Sequence, residues 1–245
     1  MKTKAFQSFE SKIHYFDDDI ELMDVLRRNV MSGELTDPSS ANVLKGIDES
    51  KHKHLARRRN SDGSRGLVIH HLRSTVYSAY VKDVYEEVTA YLKTILELAA
   101  QNGFEAGRLI GEHSFKINAK EVLEAGSWEY MANLISDSVF QSLEAEKSTL
   151  QLLKKIASKL GLDIDNQLIE KVLPFLEVRH FLVHTDGKVT QDFKEKYPKL
   201  AYKNDYIFIN YTFVRKLRNA VVELISEYDK KVVANQLVAP EHMQP

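Results

Sequence analysis

The sequence predicts an all-α helical bundle with one long basic loop inserted after its first helix. Three observations carry that prediction. Apolar residues recur at steps of three and four over most of the chain, the period of an amphipathic helix. Gly and Pro number only 10 and 5 in 245 residues, about half of their ~12% average usage. One polar stretch, residues 32–66, loses the period altogether.

The first helix is expected over about Ala5 to Val30, where Phe6, Phe9, Ile13, Phe16, Ile20, Met23 and Val30 keep helical spacing. Asp17-Asp18-Asp19 reads as solvated surface, or as a break that caps a second helix. From Ser32 to Gly66 the chain is punctuated by Gly33, Pro38, Gly46, Gly63 and Gly66, which predicts a flexible loop. Between Lys45 and Arg65 that loop holds seven Lys/Arg against three acids, a local charge of +4 in a chain of formal charge -1. Arg57, Arg58 and Arg59 are its densest cations, suited to phosphates. A plain solvated loop is the competing reading, because no aromatic interleaves the charges.

Helical spacing returns from Leu67 to Ala100 and ends at Gln101-Asn102-Gly103. A short helix is expected over Ala119 to Glu124, then a long pattern from Trp128 to Leu160 with a break near Lys147-Ser148. Asp165 reads as the N-cap of a helix running to about Leu182, with Pro174 kinking or restarting it. Tyr206 to Ile209 reads as a short extended piece before a last amphipathic helix spanning Phe213 to Tyr228. The expected organisation is one domain over residues 1–235, followed by a loose polar tail over 236–245.

Composition excludes several functions. Without cysteine there is no disulfide, thiolate metal site, iron–sulfur cluster or Cys nucleophile. Near-zero net charge leaves no bulk attraction for nucleic acid, so any such contact is local. No run of 18 apolar residues suits a membrane span, and the N-terminal segment lacks a signal-peptide core, so a cytoplasmic protein with no membrane partner is expected. Gly-rich phosphate loops, HExxH and GxSxG are absent.

The candidate chemistry lies in Arg179-His180-Phe181-Leu182-Val183-His184, at a helix end before Thr185-Asp186-Gly187. Arg-x4-His spacing occurs three times, at Arg65/His70, Arg108/His113 and Arg179/His184. Only Arg179 rides on a long, strongly patterned helix and is followed by another polar ring, His180. His180 and His184 share one helix face, about 6 Å apart at Cβ. An imidazole can move protons near neutral pH, and a guanidinium can bind a phosphate through two N–H groups. A base and a phosphate clamp are the minimum for cleaving RNA through its own 2′-hydroxyl. Two other readings stand beside this one: His184 as a structural C-terminal cap, and His180 with His184 as a metal pair lacking a third ligand nearby in sequence.

The stretch Glu177 to Gly187, an Arg-x4-His element with a polar residue after the Arg, resembles the motif of HEPN domains. These are all-α proteins that include RNA-cleaving toxins and defence nucleases. The helix Tyr77-Ser78-Ala79-Tyr80-Val81-Lys82-Asp83-Val84-Tyr85-Glu86 looks like the first core helix of the RiboL-PSP and related groups. The resemblance covers residues 67–230 in outline. It implies a homodimer whose two motif helices build one metal-independent endoribonuclease site, with no cofactor. In that site Arg179 would hold the scissile phosphate and His184 would serve as base or acid. His180 stands where the family usually has Asn or Asp, and Ser78 stands near a position that is acidic in many relatives. Arg57, Arg58, Arg59 and Lys188 are the expected RNA contacts, and an antitoxin or another defence protein is the expected partner. A non-catalytic HEPN module that binds RNA, nucleotide or protein is the alternative.

Overall fold

The computed structural model describes residues 1–37, 39–111, 118–146 and 148–244. The architecture is all-α. Helix α1 (Lys4–Ser32) starts at Thr3, whose side chain accepts from the Phe6 N–H, and stops at Gly33, which adopts the left-handed φ of 81°. It buries Phe6, Phe9, Ile13, Ile20, Met23 and Val30 as the spacing predicts. The helix runs unbroken through the three aspartates. Asp17 accepts hydrogen bonds from the Tyr80 hydroxyl (2.9 Å) and from Arg218 Nε (3.0 Å). It is therefore a cross-link between elements rather than a helix break.

After α1, a short helix α2 (Lys53–Ala56) lies in the basic segment, and α3 (Asp62–Gln101) follows. The loop is shorter than its glycines suggested, because Ser61 caps α3 by accepting from the Ser64 N–H and so places Asp62–Gly66 in the helix. The basic segment also carries its own bonds. Val43 is fully buried, Thr36 Oγ1 donates to its carbonyl (3.1 Å), and Asn42 bridges Arg59.

Helix α3, about 60 Å long at 1.5 Å per residue, is the spine of the bundle and packs against α1 and three later helices. Beyond it come α4 (Ala106–Ile110), α5 (Ala119–Glu124), α6 (Trp128–Ala145) and α7 (Thr149–Lys159). The pattern break near Ser148 falls as expected, with Ser148 capping α7; Lys147 lies outside the described residues. Helix α8 (Asn166–His184) begins at Asp165, which caps the Gln167 N–H, and continues through Pro174 as one element. The carbonyl that Pro174 leaves without its helical donor belongs to exposed Glu170, where water can bond it.

A small helix α9 (Gln191–Lys196), a hairpin and α10 (Tyr211–Ala234) complete the bundle, with α10 packing on α1, α3 and α8.

The end of the chain corrects the expectation of a loose tail. Leu237 and Val238 are buried, and strand β4 (Met243–Gln244) pairs antiparallel with β1 (Lys2–Thr3). The polar composition hid this because two apolar residues and a two-residue ladder are enough once the chain termini meet. Deleting residues 236–245 is expected to cost about 3 kcal/mol or more, from re-exposing one Leu and one Val at ~1.5–3 kcal/mol each. A urea midpoint lowered by that amount would show it; an unchanged midpoint would refute it.

Candidate functional site

Helix α8 buries Ile169, Val172, Leu173, Leu176 and Val178 against the bundle, which leaves its last turn to face a cleft. Arg179 follows the fully buried Val178 and turns toward α3, where its guanidinium carbon lies 5.0 Å from the centre of the Tyr85 ring. That is within cation–π range. Its Nε is buried without a hydrogen-bond partner, and no carboxylate pairs with the guanidinium among the described residues. Arg179 is thus a positioned cation with no counter-ion.

His180 and His184 lie one turn apart on the same face, both exposed, with ring centres 4.7 Å apart. The His180 ring also meets Phe181 edge-on at 5.4 Å, and Phe181 packs at 4.6 Å on buried Phe193 of α9. Aromatic contacts therefore hold the histidine-bearing turn from behind.

The helix ends sharply after His184. The Phe181 carbonyl accepts from the N–H groups of Thr185 (3.0 Å) and Gly187 (2.9 Å). Asp186 and Gly187 take positive φ of 53° and 85°. At Gly187 a side chain would be strained by that backbone and would also meet Leu182 and Ile207.

Arg179, His180 and His184 line one cleft of about 950 Å³, together with Tyr85 of α3, Glu144 of α6 and Lys196 of α9. Lys196 pairs with Glu177 at 3.0 Å, which neutralises the acid nearest the motif on α8. Burial, helped by the Glu177 carboxylate, pushes the Tyr197 phenol above its ordinary value and keeps it protonated beside that pair.

The structure brings three of the expected site residues together, Arg179, His180 and His184. Lys188 lies exposed just beyond the turn and does not line the cleft. Arg57, Arg58 and Arg59 precede α3, whose first residue is 23 positions from Tyr85, about 35 Å along the helix axis. They are absent from the cleft wall. Of the other two Arg-x4-His pairs, Arg65/His70 builds no comparable site, because Arg65 is engaged by Asn60 and Asp62; His113 of the Arg108/His113 pair lies outside the described residues.

Tyr85, Lys196 and Glu144 were not singled out as site residues from the sequence. Tyr85 sits within a periodic helical stretch like any other aromatic, and only the crossing of α8 over α3 gives it a role. Among the described residues no group of three or more His, Asp or Glu is placed to hold a metal ion, and no helix is long and apolar enough to cross a membrane. Comparison of the chain with protein-family models, curated proteins and solved structures returned no match.

Proposed function

We propose that this chain is a metal-independent endoribonuclease of the HEPN type, acting as a homodimer in a toxin or phage-defence setting. One observation carries the reading: Arg179, a cation without a counter-ion among the described residues, shares a cleft with two imidazoles one helical turn apart. The site offers what cleavage by an internal hydroxyl needs. Arg179 binds the scissile phosphate and stabilises the charge that grows on its oxygens. One imidazole takes the proton of the 2′-hydroxyl as that oxygen attacks phosphorus. An imidazolium gives a proton to the 5′-oxygen as its bond to phosphorus breaks. The products are a 2′,3′-cyclic phosphate and a 5′-hydroxyl.

In-line displacement places base and acid on opposite sides of phosphorus. His180 and His184 open on the same side of one helix, so a second copy facing the first supplies the opposite side. His184 carries the proton transfer in this reading, and His180 orients it or serves as the second group. An antitoxin or other defence-system protein is the proposed partner of the dimer.

The test incubates purified protein with end-labelled total RNA in excess EDTA and identifies the product ends. Cleavage with cyclic phosphate ends is expected. Loss of cleavage on chelation would refute the metal-independent site, and salt-sensitive RNA binding without product would favour a binding module.

A further inference from the structure

Four residues beyond His184 the chain forms a small sheet that composition alone did not foretell. Strands β2 (Tyr202–Lys203) and β3 (Tyr206–Ile207) make a tight hairpin in which Lys203 is registered with Tyr206. On the other edge of β3, Lys188 bridges the same Tyr206 in antiparallel sense. The Ile207 N–H donates to the Gly187 carbonyl (3.0 Å) and the Val189 N–H to the Asp205 carbonyl (2.8 Å). Lys188 and Tyr206 are therefore a non-hydrogen-bonded pair, the kind whose side chains lie closest.

Directly opposed residues in antiparallel strands share a face. Tyr206 is thus flanked by a lysine on either side. The opposite face carries Val189 and Ile207, both buried, which turns the Lys–Tyr–Lys face outward. Tyr206 is 48% exposed, so its ring is open to a partner. Among the described residues its ring makes no ring contact, and neither Lys188 nor Lys203 is in an ion pair.

Asp205 is in an ion pair with Lys194 at 2.8 Å and also feels the charge of Lys188, while neither Lys188 nor Lys203 forms an ion pair of its own among the described residues. The positive field reaches α3 as well: burial, then the charges of Arg73 and Lys203, push the His70 imidazole below its ordinary value.

We propose that the Lys188–Tyr206–Lys203 face binds single-stranded RNA beside the cleft, with one base stacked on Tyr206 and its flanking phosphates met by the two lysines. Stacking on an exposed ring requires an unpaired base, which selects single strands over duplex. The lysine Cα atoms are about 10 Å apart across the three strands, a span their long side chains close onto neighbouring phosphates. The inference rests on the RNA-cleaving reading for its choice of polymer, while its geometry is independent of the histidines.

The test is fluorescence anisotropy with a mixed-sequence single strand of ~12 nucleotides and the matching duplex, in EDTA, on a His184→Ala background that prevents turnover. Tyr206→Ala is expected to weaken single-strand binding on the order of ten-fold, and Tyr206→Phe to preserve it. Lys188→Ala with Lys203→Ala should flatten the salt dependence by about 1.4 in log–log slope, two phosphates at ~0.7 each. Thermal melts confirm that these exposed substitutions leave the fold intact. Equal binding by Tyr206→Ala and its parent, equal preference for duplex, or no binding by the parent would each overturn the inference. If the variants behave as expected while the wild-type chain cleaves no RNA, the cleavage reading fails and the binding face stands. If the wild type cleaves and the variants bind unchanged, the binding face alone fails.

Discussion

Replacing Arg179 by alanine is expected to lower RNA cleavage about 10²–10³-fold, the usual loss when a positioned group that stabilises transition-state charge is removed. The guanidinium is held over Tyr85 with no carboxylate partner among the described residues, so its charge is available to an anion. Arg179→Lys should recover only part of the loss, because an ammonium lacks the planar fork that binds two phosphate oxygens. His184→Ala should cost about 10²–10⁴-fold through the missing proton transfer. Both changes lie at the cleft, so melting temperature should move little. A composite site adds a sharper expectation: excess His184→Ala mixed with wild type should depress the wild-type rate by forming mixed dimers. Rates are read from end-labelled RNA in EDTA. Full activity of Arg179→Ala, or indifference of wild type to the His184→Ala chain, would remove the clamp or the dimer respectively.

The largest expected stability loss comes from Asp229, which does not line the cleft. Asp229 of α10 is 3% exposed, and its carboxylate accepts from the Thr3 N–H, the Thr3 hydroxyl and the Tyr91 hydroxyl. Thr3 in turn caps α1, so this one side chain ties together the start of α1, the C-terminal half of α3 and α10. Burial and the Asp229 carboxylate push the Tyr91 phenol well above its ordinary value, so it remains a donor. Asp229→Ala leaves three buried donors without an acceptor, at ~1–3 kcal/mol each. Some water entry offsets part of this, and a net loss of about 4 kcal/mol is expected. In a chain of this length that lowers the melting temperature by about 10 °C. Tyr91→Phe should cost roughly 1–2 kcal/mol in the wild type and almost nothing after Asp229→Ala, because its partner is already gone. Denaturant unfolding of the two single variants and the double variant measures this; additive losses would show that the hydrogen bond is not the cause.

The helices were legible because a helix's buried face is a local pattern. Phe6, Phe9, Ile13, Tyr77, Val81, Val84 and Leu92 are buried where three- and four-residue steps place them. Caps were legible for the same reason, as at Asp165 and at Gln101-Asn102-Gly103, where Gly103 takes a left-handed φ of 78°. The motif residues could be grouped because one helical turn brings His180 to His184 and one further step adds Arg179. Contacts across the bundle carry no such trace. Asp17 lies in an acidic run that reads as solvated surface, yet it cross-links α1 to α3 and α10, and Asp229, which belongs to no motif, is buried.

The sequence by itself determined an all-α chain, its long helices with several of their ends, and a turn carrying one arginine and two histidines. Tertiary structure alone decided that Arg179 meets Tyr85, that Tyr206 lies between two lysines, and that the segments near the two ends of the chain pair. The physical reason is range. Backbone hydrogen bonds and helical periodicity act over three or four residues and leave their mark in the local pattern. Burial of a charge, stacking of a ring and pairing of distant strands depend on which elements meet, and that is settled only when the whole core packs.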